Sequence, residues 1–427
     1  MKKDILKTII RDFHLNPFPE LIERNSAVPA DSGKIISVIG VRRCGKTSLL
    51  LYHVGQLVKN GMDKSKIIYI NFEDERLDLK ADELDLILQA YRELYPDNDL
   101  NNCLFFFDEI QNINNWEKFV RRLYDSVSKN IFITGSNSRF LSKEIATSLR
   151  GRTLPVEVFP LSFHEFLRFG KTKIDFASSH SIAGIQNQFL RYLACGGFPE
   201  LFHMKDTVRD AVLQEYFNVM LYRDMVERYN ISNIALLKYF LRRLFASATK
   251  SISINAIYND LKSSGYRTGK NQLYEYLDIC RDIYLAFPLN KYSHKPVVRE
   301  LGERKIYAID TGLLNAVTFR FSDDFGKALE QLVFLELKRR GKDIYFYKNR
   351  SECDFIVKEK ETVIGAIQAA WSLDDAKTRK RELRGIVDAC KAFNLKNGAI
   401  ITSDTTEEVE IDDIHIDIRP FSKWALD

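Results

Sequence analysis

The segment IGVRRCGKTSLL, residues 39–50, constrains this chain more than any other feature of its sequence. Gly40 and Gly45 frame four residues and are followed by Lys46 and Thr47, which is the G-x-x-x-x-G-K-[ST] spacing of a loop that wraps nucleotide phosphates. The preceding KIISVIG predicts a buried strand, and the following TSLLLYHVGQLVKNG has apolar residues at helical spacing. Such a loop presents backbone N–H groups at a helix N-terminus to the phosphates. We therefore expect a nucleotide-binding chain.

The chemistry of this loop predicts ATP and Mg²⁺ as cofactors. The Lys46 ammonium would neutralise phosphate charge, and the Thr47 hydroxyl would ligate Mg²⁺. The alternative interpretation is a glycine turn that carries a lysine by chance. The residues assigned to phosphate binding are Gly40, Val41, Arg42, Arg43, Cys44, Gly45, Lys46, Thr47 and Ser48.

A second buried strand is predicted in KIIYINFEDE, and two adjacent carboxylates follow a third, in NCLFFFDEIQNI. Asp108 at the end of this strand would hold Mg²⁺ together with Thr47, and Glu109 would orient or deprotonate the attacking water. The alternative is a polar strand end, because a buried strand has to leave the core somewhere. Beside a phosphate-binding loop, the pair predicts ATP hydrolysis.

Further catalytic candidates follow along the chain. In NIFITGSNSRF, Ser136 and Asn137 end another predicted strand, where they would either reach the γ-phosphate or cap the next helix. In SLRGRT, Arg150 or Arg152 would complete a neighbouring subunit's site as an arginine finger in a homo-oligomer, or would simply be solvated. We assign this role to Arg152.

Strands alternating with helices predict an α/β fold with a parallel doubly wound sheet. The runs GVRRCGKTSLL, INFEDERL, LFFFDEIQNINNWEKFVRRLYD, FITGSNSRFL and LRGRTLPVEVFPLSFHEFL resemble the AAA-type ATPases of bacteria and archaea that carry a C-terminal domain of unknown function. These proteins are grouped near the signal-transducing branch of P-loop ATPases. The resemblance implies a P-loop ATPase domain at 1–160 and a helical lid at 161–235, in which CGGFPE forms a hinge or a helix corner.

Residues 236–310 are predicted to form a winged helix-turn-helix. The patterns SINAIYNDLKSSG and KNQLYEYLDICRDIYL each predict a short helix, with a glycine turn between them and the β-like YLAFPLNKY behind. The buried faces of the two helices are predicted to consist of Ile254, Ile257 and Leu261 in the first and Leu273, Leu277 and Cys280 in the second.

The positive charge of the chain is concentrated in this region. Residues 238–300 hold eleven Lys or Arg and five Asp or Glu, a net charge of +6, whereas the whole chain carries +5. The second helix would present Lys270, Asn271, Tyr274 and Arg281, which are residue types that contact phosphates and base edges. We therefore expect DNA or a protein as the partner of this helix, and the alternatives are that the winged helix is a rigid spacer or that the charges form a solvated face.

Residues 311–427 are predicted to contain an αβββαβ core that looks like restriction-endonuclease-type folds. The nuclease class uses a helix carboxylate, a strand aspartate and a Glu/Gln-x-Lys on the next strand. Glu330, Asp354 and Gln368 fit three of these positions, but Ala370 occupies the lysine position. Nothing nearby in sequence replaces this cation, so the domain is expected to bind rather than to cut.

Composition limits the classes of protein to which this chain could belong. The 427 residues are 45% hydrophobic, enough for several cores, and no apolar run reaches the ~20 residues that span a bilayer. The six cysteines are far apart, so the sequence supports no disulfide framework or zinc site, and we expect a cytoplasmic protein.

The function predicted is an ATP-driven switch that acts through the winged helix and the nuclease-like domain. The alternatives are an ATP-gated metal-dependent nuclease and a nucleotide-binding scaffold without turnover.

Overall fold

The chain divides into two compact units, residues 1–159 and 160–427. The structure is a computed structural model that describes residues 1–135, 149–293, 295, 302–318 and 324–427. Within these residues, no helix combines the length and the apolar character that crossing a membrane requires.

A parallel sheet forms the centre of the first unit, with the strand order β2-β3-β4-β1-β5. Strands β1, β3 and β4 are buried along their whole length, which explains their continuous apolar runs. The strands are β1 (Ile35–Ile39), β2 (Ile67–Asn71), β3 (Leu104–Asp108), β4 (Ile131–Gly135) and β5 (Thr153–Glu157). This is the parallel α/β sheet that the alternating pattern predicts.

Helices and an aromatic core complete this unit. Phe106 of β3 stacks on Phe132 of β4 with ring centroids 4.5 Å apart, and both side chains are buried. The described helices are α1 (Lys2–Leu15), α2 (Lys46–Lys59), α3 (Asp85–Leu94) and α4 (Trp116–Ser126). Helix α2 begins directly after the glycine loop, as its sequence predicts.

The second unit begins with a helical region. Its helices are α5 (Phe163–Phe169), α6 (Ser179–Cys195), α7 (Asp206–Val219), which a π-helical segment (Met220–Glu227) continues, and α8 (Ile234–Ala246). Helix α5 has a capping box, in which Ser162 accepts from the Glu165 N–H and Glu165 accepts from the Ser162 N–H.

The segment CGGFPE forms a tight corner at the end of α6. Asp310 accepts hydrogen bonds from the N–H groups of Gly197 at 2.6 Å and Leu313 at 2.9 Å, and is buried. A Cβ on Gly196, whose φ is +73°, would lie 2.0 Å from Asp310 Oδ1, and one on Gly312 would lie 2.2 Å from the Cys195 carbonyl oxygen. Only glycines permit this approach, so the corner is a close-packed junction.

Helices α9 (Ile254–Ser263) and α10 (Lys270–Asp282) accompany a small sheet with the order β6-β8-β7. Its strands are β6 (Ser251–Ile252), β7 (Ala286–Asn290) and β8 (Arg304–Ala308). All six side chains of the predicted buried faces of α9 and α10 are buried, which confirms the helical periodicity read from the sequence. Helix α11 (Thr311–Val317) follows β8.

A six-stranded mixed sheet ends the chain, with the order β13-β14-β12-β11-β10-β9. Its strands are β9 (Asp343–Lys348), β10 (Glu352–Glu359), β11 (Thr362–Ala369), β12 (Asn397–Thr402), β13 (Glu407–Ile411) and β14 (Ile414–Pro420). The helices are α12 (Phe325–Arg339), α13 (Ala376–Ala392) and α14 (Phe421–Trp424). From α12 to β12, the helices and strands follow one another along the chain in the predicted order αβββαβ. The sequence analysis assigned no strand at β13.

Candidate functional site

Strand register brings the predicted nucleotide-binding residues to one edge of the first sheet. Strand β4 lies between β1 and β3, with Val38 paired to Thr134 and Phe107 to Ile133. The loop that follows β1 and the carboxylates that follow β3 therefore flank the end of β4. In parallel α/β sheets, ligands bind outside the carboxyl ends of the strands.

Asp108 is the centre of a hydrogen-bond network at this edge. Thr47 Oγ1 and Tyr69 Oη donate to Asp108 Oδ2 at 2.8 and 2.7 Å, and Thr134 Oγ1 donates to Oδ1. Asp108 is 1% exposed, so these donors replace the water that its charge would otherwise require. Burial next to this carboxylate also raises the pKa of Tyr69, which keeps the phenol a donor.

Glu109 is held close to the loop lysine in a strained backbone conformation. Its φ of +51° is in the left-handed region, which non-glycine residues adopt rarely and which occurs often at functional sites. Glu109 Oε1 lies 3.7 Å from Lys46 Nζ, and Gln111 Nε2 donates to Oε2. The Glu109 N–H donates to Thr134 Oγ1 at 2.8 Å, so one hydroxyl fixes both carboxylate residues.

Lys46 lies over the glycine loop and is buried. Its Nζ donates to the carbonyl oxygens of Gly40 and Val41 at 3.3 and 3.2 Å. Gly40 has a φ of +154°, and a Cβ there would lie 2.1 Å from the Val158 carbonyl oxygen, so the loop passes too close to β5 for a side chain. Gly45, with a φ of +99°, starts helix α2 in a conformation that favours glycine.

Three residues that support this site were missed by the sequence analysis. Arg24 is buried and donates to the carbonyl oxygens of Cys44 at 2.8 Å and Phe159 at 2.7 Å, which anchors the loop. No local pattern indicates this role. Thr134 and Tyr69 could have been found from strand alignment, because each lies on a strand next to β3 near the level of Asp108.

The other predicted residues do not all lie at this edge, because Arg152 directly precedes β5 and is therefore at the amino end of the parallel sheet. Val41 and Cys44 are buried, Arg42 lies 3.7 Å from Glu73, and Arg43 and Ser48 are exposed. Arg152 donates to both carboxylate oxygens of Asp125, at 2.9 and 3.1 Å, so its role as a finger stays a prediction. Ser136 and Asn137 lie outside the residues that the structure describes.

The oxygen ligands at this edge fit Mg²⁺. The Thr47 hydroxyl and an Asp108 carboxylate oxygen lie 2.8 Å apart, and Mg²⁺ prefers one or two such ligands together with phosphate oxygens and water. The two residues predicted as metal ligands are thus brought together beside Lys46, where a triphosphate would be neutralised.

A second charged cluster lies in the second unit. Glu330 on α12, Asp354 on β10 and Gln368 on β11 come together, as the nuclease resemblance implies, and all are largely buried. Lys305 from β8 also enters this cluster. Its Nζ lies 2.7 Å from Asp354 Oδ1 and 3.0 Å from Glu330 Oε1, which the sequence analysis did not foresee.

The electrostatics of this cluster follow from its burial. Burial, and then the neighbouring charge of Asp354, raise the pKa of Glu330 to about 8. The pKa of Lys305 is raised, because the nearby carboxylates outweigh the desolvation that opposes its charge. Lys305 is therefore a permanent cation.

Helix α10 presents the residues predicted to contact a partner. Lys270 and Asn271 are exposed at its start, and the Lys270 ammonium lies 5.4 Å from the centre of the Tyr258 ring. Arg304 from β8 covers the Tyr274 ring at 5.4 Å. Arg281 is exposed but lies 3.2 Å from Asp278, which offsets part of its charge.

Fold and site together define a P-loop ATPase domain of the AAA type. A family model described as "AAA domain" matches residues 32–167, and two models described as domains of unknown function, DUF8612 and DUF4143, match residues 186–324 and 325–423. The loop, both carboxylates and all five strands of the parallel sheet lie within the first match.

Two relatives match almost the whole chain. An uncharacterized protein of Methanocaldococcus jannaschii is 38% identical over 100% of this chain and 96% of its own length, and the chain belongs to the same family. An uncharacterized protein of Haemophilus influenzae is 28% identical over 90% of this chain and 92% of its own length. Among solved structures, Orc1 of Aeropyrum pernix in complex with DNA aligns over 74% of this chain and 91% of its own, at 11% identity and a TM-score of 0.30. At that score we draw no argument from it.

Proposed function

We propose that the chain is an ATP-hydrolysing switch of the signal-transducing branch of P-loop ATPases. The observation that carries the proposal is the convergence of Lys46, Thr47, Asp108 and Glu109 at the carboxyl edge of one parallel sheet. These residues supply a phosphate counter-charge, two metal ligands and a base within one buried network. A bound Mg²⁺ would neutralise phosphate charge there.

Each residue has a distinct part in this proposal. Lys46 leaves the carbonyl oxygens of its own loop and contacts the β and γ phosphates, and Asp108 and Thr47 position the metal. Glu109 orients the attacking water and takes its proton. Thr134 holds the two carboxylates in register, because its hydroxyl donates to Asp108 and accepts from the Glu109 N–H.

The output side of the switch is the proposed winged helix and the nuclease-like region. The order α8-β6-α9-α10-β7-β8 supports a winged helix-turn-helix, and exposed Lys270 and Asn271 at the start of α10 support a nucleic-acid partner. The +6 charge of this region supports the same partner.

Single-turnover and steady-state ATP hydrolysis by the full chain test the proposal. We expect Glu109→Gln to bind ATP with wild-type affinity and to lose turnover by about 10²–10⁴-fold, because the amide cannot take a proton. Glu408→Gln makes the same change at an exposed carboxylate of the second unit, is the matched control, and should turn over ATP as wild type does. Equal turnover in wild type and Glu109→Gln would remove Glu109 from the mechanism and favour a scaffold without turnover.

A further inference from the structure

Lys305 occupies the centre of the carboxylate cluster in the second unit. Its ammonium contacts Asp354 Oδ1 at 2.7 Å, Glu352 Oε1 at 2.8 Å and Glu330 Oε1 at 3.0 Å, and its side chain is 2% exposed. Three acidic side chains on two different elements, α12 and β10, therefore share one cation. That cation comes from β8, a strand of another sheet.

Strand geometry directs Lys305 into this cluster. Residues two apart on a strand share a face, and Tyr307 accordingly donates to Glu330 Oε1 at 2.6 Å. The Tyr307 ring stacks on Phe334 of α12 with centroids 4.1 Å apart, which fixes β8 against this helix. The backbone of Lys305 is thus fixed by the packing of β8, and its ammonium is fixed by three carboxylates.

The remaining polar atoms of the cluster are also occupied. Asp354 Oδ2 accepts from the Ala369 N–H at 3.1 Å, and the Asp354 N–H donates to Gln368 Oε1 at 3.1 Å. Gln368 Nε2 donates to Glu382 Oε2. In this way both ends of Gln368 and both oxygens of Asp354 have partners from the chain itself.

A divalent metal does not fit this arrangement. Mg²⁺ would need the Asp354 and Glu330 oxygens at about 2.0–2.1 Å, but the Lys305 ammonium occupies the space between these two oxygens, 2.7 Å from the first and 3.0 Å from the second. A metal and an ammonium competing for the same oxygens would repel each other strongly in a buried site. The restriction-endonuclease resemblance implies a metal, and the side chains present exclude it.

We propose that Lys305 is a built-in cation that replaces the divalent metal of a nuclease-like site. The cluster then serves as a fixed, charge-compensated joint between β8 and the C-terminal sheet, and it does not cut nucleic acid. This inference is independent of ATP hydrolysis, because it concerns residues of the second unit alone.

Manganese binding to the full chain without nucleotide tests the proposal, with free Mn²⁺ followed by electron paramagnetic resonance. We expect wild type to bind no Mn²⁺ at this cluster. Asp354→Asn should therefore bind as many Mn²⁺ ions as wild type does. Lys305→Met is expected to gain one Mn²⁺ site that wild type lacks, since a competing charge has been removed. Adding Asp354→Asn to Lys305→Met should abolish this site.

Thermal unfolding gives a second measurement. In EDTA, Lys305→Met should lower the Tm by about 10 °C, because it leaves buried carboxylates without a counter-ion, and Mn²⁺ should restore part of the loss. Lys396→Met, which removes an exposed lysine, is the matched control and should leave the Tm unchanged. An unchanged Tm in Lys305→Met would overturn the proposal.

Measurements on wild type and Asp354→Asn test whether a metal fits this cluster even if Lys305→Met does not fold. Mn²⁺ binding by wild type that disappears in Asp354→Asn would show that the metal fits beside the lysine. Cleavage of duplex DNA by wild type with Mn²⁺, lost in Asp354→Asn, would make Lys305 a catalytic lysine brought from another strand. Either result overturns the proposal, and the absence of both supports it.

Discussion

Thr47 donates a hydrogen bond of 2.8 Å to Asp108, although the two residues are 61 positions apart in the chain. One begins the helix after the phosphate-binding loop, and the other ends the strand on the far side of β4. The bond joins the two residues that would share Mg²⁺, so the metal site is preorganised by the fold. This preorganisation leads to the first two predictions.

Lys46→Ala should weaken ATP binding by about 10–100-fold, because it removes charge-assisted hydrogen bonds to phosphate. The fold should persist, because Lys46 makes only long hydrogen bonds, of 3.3 and 3.2 Å, to its own loop, and Glu109 keeps the hydrogen bond that Gln111 donates to it. Titration of a fluorescent ATP analogue measures the effect. Lys59→Ala removes an exposed lysine at the other end of the same helix and should bind as wild type does. Equal affinities in the two variants would remove the phosphate-binding assignment.

Thr134→Val should lower ATP turnover and cost about 1–3 kcal/mol of stability. The shape is kept, but Asp108 loses a buried donor and the Glu109 N–H loses its acceptor. Ser37→Ala is the matched control in the same sheet, because the buried Ser37 hydroxyl has no hydrogen-bond partner in the described residues. That control should be neutral or slightly stabilising. Calorimetry and a turnover assay on both variants decide whether Thr134 carries this role.

The sequence predicted the first unit well because its signals are local. A glycine loop between strand and helix, and two carboxylates after an apolar strand, each depend on residues that are neighbours in the chain. Thr134, Tyr69 and Arg24 could not be recognised in this way, because they reach the site only when strands pair or when the chain returns to the loop. The sequence pattern predicts the helices and strands but not all of the contacts between them.

The nuclease-like cluster is a second case in which a contact between residues distant in the chain could not be predicted from the sequence. The restriction-endonuclease resemblance assigns Glu330, Asp354 and Gln368, and alanine in place of lysine at Ala370 predicts the loss of a cation. The structure supplies that cation from Lys305, 49 positions before Asp354 and on a different sheet. A search confined to the neighbourhood of the motif could not find it, since only the packing of β8 against α12 brings it there.

Gly196→Ala should destabilise the second unit by several kcal/mol, whereas Gly184→Ala should be neutral or stabilising by up to ~1 kcal/mol. Both glycines lie in or beside helix α6. A Cβ at Gly196 would meet the buried Asp310 carboxylate and would require a φ of +73°, while a Cβ at Gly184 meets nothing within 4 Å. Urea unfolding of the two variants measures the difference, and similar stabilities would contradict the close-packed corner.

Stability should fall as the pH rises from about 4.5 to about 8, through the titration of Glu330. The pKa of this carboxyl is raised to about 8 by burial and by Asp354, from an ordinary value of 4.5. In that window the native state holds a proton that the unfolded chain has released, so raising the pH favours unfolding by up to about 1.4 kcal/mol per pH unit. Glu330→Gln should reduce this slope, to which the buried Asp310, whose pKa burial also raises, still contributes, and the exposed Glu408→Gln should leave it unchanged. A slope that is the same in all three proteins would contradict the buried, protonated Glu330.

Retention of DNA by helix α10 should depend on Lys270 more than on Arg281. Both were predicted to contact phosphates, but Arg281 already has Asp278 at 3.2 Å and Asp282 at 3.8 Å, whereas Lys270 contacts only a ring face within the described residues. Each phosphate neutralised by a free cation releases counter-ions, so the slope of log affinity against log salt reports such contacts. Lys270→Glu should flatten this slope by about one unit, and Arg281→Glu by less.

Binding of a labelled duplex and of a single strand, measured from low to moderate salt, provides the comparison. Lys396→Glu introduces the same change of charge on the C-terminal sheet, away from α10, and should leave the slope as it is in wild type. A larger loss in Arg281→Glu than in Lys270→Glu would mean that the Asp278 pair opens on binding and that the arginine is the main contact. If neither duplex nor single strand is retained in a salt-dependent way, the exposed start of α10 does not contact phosphates, which would contradict the nucleic-acid partner and favour the protein-docking alternative.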